Sequence, residues 1–113
     1  MKKIENIKMR YVPSEQKFFQ GKDSELQKLL NQGWNIVPEQ GGNGSYNLYK
    51  PVKVFMHFTT ESGGHSFEVK EMVKDYYGLT RISEKTCDRF ERDFQAGKAS
   101  VMYDEITDVM EIR

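Results

Sequence analysis

The chain holds one cysteine, Cys87, so no internal disulfide can form. Doing without disulfides fits a reducing compartment. Long apolar runs are missing too, and no stretch approaches the ~20 residues that span a bilayer. The opening MKKIENIKMR has two lysines but no apolar segment behind them, so no secretory signal is expected. Neither sign of charge is in excess: 17 Lys and Arg balance 17 Asp and Glu. That balance argues against a surface that attracts nucleic acid or anionic lipid all round. A cytoplasmic location with no membrane partner is therefore the expectation.

Aromatic residues are plentiful. Seven Phe, six Tyr and one Trp in 113 residues supply large areas to bury, so an ordered chain is expected, as a single domain over 1–113. Charge is unevenly spread. Residues 1–22 carry Lys2, Lys3, Lys8, Arg10, Lys17 and Lys22 against Glu5 and Glu15, whereas 104–112 carry Asp104, Glu105, Asp108 and Glu111 with no base. The two ends attract each other if they lie close; the plain reading is two solvated edges.

Ile7, Met9 and Tyr11 alternate with Lys8 and Arg10, which predicts a strand over 4–12 ended by Pro13. Residues 14–22, with Phe18 and Phe19 in polar surroundings, read as a connection with room for a short strand. Asp23 or Ser24 can cap a helix whose stripe is Leu26, Leu29 and Leu30, with Gly33 as its stop. Trp34, Ile36 and Val37 then form a strand. Gly41, Gly42, Asn43 and Gly44 supply a hairpin turn, and Tyr46 and Leu48 lie on the return strand. After Pro51, Val52, Val54, Met56 and Phe58 alternate with Lys53, Phe55, His57 and Thr59 as a strand, with a turn over 61–64. From Phe67 the period becomes helical through Val69, Met72, Val73, Tyr76 and Tyr77 to Gly78. Ser83 caps a third helix carrying Cys87, Phe90 and Phe94, stopped by Gly97. Ala99, Val101 and Tyr103, then residues 109–112, form two closing strands. The order β-α-β-β-β-α-α-β-β predicts an α+β domain, three helices over a largely antiparallel sheet.

The stretch ELQKLLNQGWNIV followed by YNLYK resembles a signature of small bacterial domains of unknown function, in which a first strand leads to a helix, a Gly-Trp corner and a hairpin. Gly33, Trp34 and the flanking leucines carry the resemblance, over about residues 4–50. It implies that order of elements and no activity.

Chemistry-bearing residues are sparse. His57, His65 and Cys87 match no zinc spacing, and Cys87 falls on the Phe90–Phe94 stripe, where a small thiol packs. The GGNG turn leads into a strand rather than a helix, so it lacks the N-terminus that binds phosphate. No cofactor or metal is expected. The segment from Phe67 onward has the order of a winged helix-turn-helix. Lys85, Arg89 and Arg92 form a basic stripe on its second helix, a candidate nucleic-acid surface. Glu84, Asp88 and Glu91 lie beside that stripe, and Asp88–Arg92 and Arg89–Asp93 can pair at i, i+4. Tyr49, Phe55 and Tyr77 fall off the core faces or at their margins and are candidates for a protein-binding patch. The sequence thus reads as a small non-enzymatic accessory protein of bacterial or phage type, acting through protein–protein contacts. The alternatives are a nucleic-acid binder using the helix from Glu84, and an enzyme with a site near His57, His65 or Cys87.

Overall fold

The computed structural model describes residues 1–38 and 44–113. In chain order the elements begin with β1 (Lys2–Lys3), β2 (Lys8–Val12), β3 (Glu15–Gln20), α1 (Asp23–Asn31), β4 (Asn35–Ile36) and β5 (Ser45–Lys50). There follow β6 (Lys53–Thr60), β7 (Gly63–Glu68), α2 (Lys70–Tyr77), α3 (Glu84–Gln95), β8 (Val101–Asp104) and β9 (Val109–Ile112). The fold is α+β, with every described strand pair antiparallel. The described strands form three three-stranded sheets rather than one. Contacts divide the chain into two compact units: unit 1 is Met1–Val12 with Lys53–Arg113, and unit 2 is Pro13–Val52.

In unit 1, β2-β6-β7 form one sheet and β1-β8-β9 another. Alternation along β6 puts Val54, Met56 and Phe58 into the core. Val73 of α2 and Cys87 and Phe90 of α3 are buried with them. Residues 4–12 do not make one strand. Lys2 and Lys3 pair with β8, the Ile4 N–H continues to the Val101 carbonyl at 2.8 Å, and pairing with β6 starts only at Lys8. The basic and acidic ends do meet, Lys2 lying 3.8 Å from Glu105. The helical period does not begin at Phe67, which lies in β7, pairs with Met56 of β6 and stacks on Phe58 at 5.7 Å. The strand reading was hidden because Gly63 and Gly64 read as turn, leaving too short an alternation.

In unit 2, the order is β3-β5-β4. Phe19, Leu48 and Leu26 are buried together, with Leu29, Leu30, Trp34, Ile36 and Tyr46 packed around them. The predicted connection at 14–22 is largely a six-residue strand. Its period is masked because only Phe19 is buried, while its neighbour Phe18 points the other way. The α1 N-cap is Lys22 rather than Asp23 or Ser24. Asp23 is itself helical, so its carboxylate and that of Glu25 instead face the positive end of the helix in its first turn.

Gly33 ends α1 as predicted, at φ +99. Its N–H reaches the Leu30 carbonyl at 3.1 Å, and the Trp34 N–H reaches back to Leu29 at 3.2 Å. That pair of bonds is the Schellman motif, which needs a left-handed residue. The same pair recurs at Gly78 and Gly97. Trp34 is therefore a corner residue and not a strand residue. Of the predicted glycine turn, Gly41, Gly42 and Asn43 lie outside the described residues.

Candidate functional site

Register sorts the side chains of the unit 2 sheet onto two faces. Phe19, Tyr46, Leu48 and Ile36 share the face that α1 covers, with Lys17 and Glu15 at one end. Lys17 and Lys50 place their ammonium groups 5.2 and 4.9 Å from the Trp34 ring centroid on this side, each a cation–π contact. The opposite face carries Gln16, Phe18 and Gln20 of β3 across from Tyr49, Asn47 and Ser45 of β5. Phe18 is 63% exposed and Tyr49 38%. They are diagonal neighbours across the β3–β5 pair, within reach of aromatic side chains. With Gln16, Val37, Asn47 and Pro51 they line an open groove of about 550 Å³. Along one side of that groove runs β3, an edge strand whose one strand partner among the described residues is β5. Phe18 was legible only once β3 is recognised, because adjacent aromatics in a strand must take opposite faces.

The other aromatic candidates are engaged within unit 1. The Tyr77 hydroxyl donates to Asp93 Oδ2 at 2.6 Å, and the Arg89 guanidinium lies 4.1 Å from the Tyr77 ring centroid. Burial first, then that hydrogen bond, holds the Tyr77 phenol well above its ordinary pKa. Phe55 is half-buried, with Arg10 5.9 Å from its centroid and His57 stacked at 6.5 Å.

The basic stripe is only partly available. Lys85 and Arg92 are exposed and make no ion pair among the described residues. Arg89 is drawn to Asp93 at 3.9 Å and to Tyr77. Glu91, beside the stripe, turns inward and accepts the Met9 N–H at 2.7 Å. The β8–β9 turn, in the place of a wing, presents Asp104, Glu105 and Asp108, which repel phosphate.

Cys87 is buried on α3, with its thiol pushed up to about 11 by burial and then by Asp88, Glu91 and Glu84. A thiol held protonated is a packing group rather than a nucleophile. His57 and His65 border an open groove of about 530 Å³ with Lys8 and Phe58. Their side chains leave opposite faces of the sheet, since His65 pairs with Phe58 and His57 with Ser66. Among the described residues no group of three or more His, Cys, Asp or Glu is placed to hold a metal ion. No helix among them is long and apolar enough to cross a membrane. The chain matches no protein-family model, no curated protein and no solved structure.

Proposed function

We propose that the chain is a small accessory binding protein whose partner is another protein, received by unit 2. An extended segment of the partner adds to the edge of β3 and lays alternate side chains over Phe18 and Tyr49. The carrying observation is the exposure of these two aromatics on one sheet face, beside an edge strand whose one strand partner among the described residues is β5. Main-chain pairing supplies affinity in such strand addition, and the aromatic surface supplies selectivity. Charged Glu15 and Lys17 on β3 limit indiscriminate edge pairing.

The test is selection of peptides from a displayed random library against the full chain, followed by calorimetry and amide-shift mapping. Extended apolar peptides should shift the amides of Glu15–Gln20. Phe18→Glu should weaken them at least about tenfold, a loss of ~1.4 kcal/mol. Methylating alternate peptide nitrogens should abolish binding. Peptides indifferent to Phe18→Glu would sink the reading. The rival reading, duplex binding by α3, requires steeply salt-dependent affinity that Arg92→Ala lowers.

A further inference from the structure

In unit 1 a run of hydrogen bonds crosses from the β6–β7 turn to the β8–β9 turn. Thr60 Oγ1 lies 2.9 Å from His65 Nε2, and Ser62 Oγ lies 2.8 Å from Thr60 Oγ1 and 3.3 Å from the same ring nitrogen. On the far side of the imidazole, Nδ1 is 3.3 Å from the Tyr103 hydroxyl, which donates to Asp108 Oδ1 at 2.7 Å.

The end group directs the run. A carboxylate oxygen accepts, so the single Tyr103 proton goes to Asp108 and the phenol oxygen is left to accept Nδ1–H. Neutral imidazole has one N–H, so Nε2 carries the lone pair, and Thr60 donates to it. The Ser62 N–H, at 3.3 Å, and the Ser62 hydroxyl then support the Thr60 oxygen.

Closing a hairpin turn needs only Thr60 and Ser62. Tyr103 and Asp108 come from a different sheet and determine the tautomer and tilt of the ring, which is also packed 5.4 Å from Phe58 and 4.7 Å from Tyr103. Asp108 reaches its place with φ +56, the one positive value at a non-glycine among the described residues. Tyr103 is buried, whereas Thr60 opens onto a recess of about 360 Å³ that it shares with Lys3, Ile4, Asn6 and Thr59. A hydroxyl within 2.6–3.2 Å of a base, itself oriented by a third group, is the arrangement of an activated nucleophile.

We propose that Thr60 is the nucleophile of an acyl-transfer site for small esters, with His65 as general base and Tyr103 and Asp108 as its positioning residues. Thr60 Oγ1 attacks the ester carbonyl carbon while its proton passes to His65 Nε2, and the carbonyl π pair moves to oxygen. When that pair returns, the C–O bond to the alcohol breaks, and the departing alkoxide takes the proton from Nε2. Thr60 is left acylated. Water repeats the sequence with Thr60 as the leaving group, and a carboxylic acid is released. The imidazolium formed at each step is met by the Tyr103 hydroxyl, backed by Asp108.

The experiment treats the full chain with p-nitrophenyl acetate and reads nitrophenolate release, intact mass and the acetylated peptide. Expected are one acetyl on Thr60, no acetyl there in Thr60→Val, and acylation slowed about a hundredfold or more in His65→Asn. Thr60→Val keeps the side-chain shape, so it stays decisive if His65→Asn loosens the fold. Acetyl found only on lysines, the amino terminus or Ser62, or release unchanged in Thr60→Val, would overturn the proposal.

Discussion

Tyr103 owes its behaviour first to one neighbour. The hydrogen bond to Asp108, followed by burial, pushes its phenol from 10.0 up to about 12. A pKa raised on folding favours the protonated form of the native state. Its contribution to stability is therefore complete below about pH 10 and lost as pH rises through about 12. Urea midpoints measured across that interval should fall, and Tyr103→Phe should flatten part of the fall. An equally steep fall in the variant would place the alkaline loss elsewhere, with Tyr77 the next group raised. Cys87 follows the opposite logic to a reactive thiol, and its place beside Phe90 was readable from helical spacing. The engagement of Tyr77 by Asp93 and Arg89 was not readable, because partners on another helix are invisible to periodicity.

Helices were legible where chain-local chemistry decides them. Gly33, Gly78 and Gly97 stop their helices through the same two backbone bonds, and Ser83 starts α3, its N–H reaching Thr86 Oγ1 at 3.3 Å. Strand β7 was missed and β3 was read only as a connection with room for a short strand, because a strand is stabilised by a neighbour far away in sequence, here β6 and β5. The join between α3 and β2 has a specific weak point. Glu91 supplies a carboxylate acceptor to the Met9 N–H across 82 residues of sequence. Glu91→Ala strands a partly buried donor and should cost about 1–3 kcal/mol in urea unfolding. Glu91→Gln retains an acceptor and should recover most of it. Equal losses in the two variants would show that the bond carries little.

Among the described residues, each of the two units buries its own set of apolar side chains. Phe90, Val54 and Met56 are fully buried in unit 1, and Leu48 is fully buried in unit 2, packed with the buried Phe19 and Leu26. Leu48→Ala should cost about 2–5 kcal/mol, charged first to unit 2. Native-state hydrogen exchange is the measurement, because it resolves opening of one segment from opening of another. Amides of β3 and β5 should exchange faster while those of β6 and α3 keep their protection. Uniform acceleration would mean that both units open together. The proposed roles divide along the same line, partner binding resting on the unit 2 face and the Thr60 relay lying within unit 1.

Composition, helical stripes, glycine stops and the long alternation from Val52 to Thr59 were enough for the α+β class and the approximate order of elements. These are short-range properties, fixed by neighbours within a few residues. Which strands pair, how many sheets result and which aromatics stay exposed depend on contacts between distant segments. Tyr49 is exposed because β3 and β4 flank β5 while α1 covers its other face. His65 meets Tyr103, which Asp108 holds in turn, across 38 residues because two hairpins meet in space. Spacing along the chain holds no record of either encounter, and both candidate sites are built from such encounters.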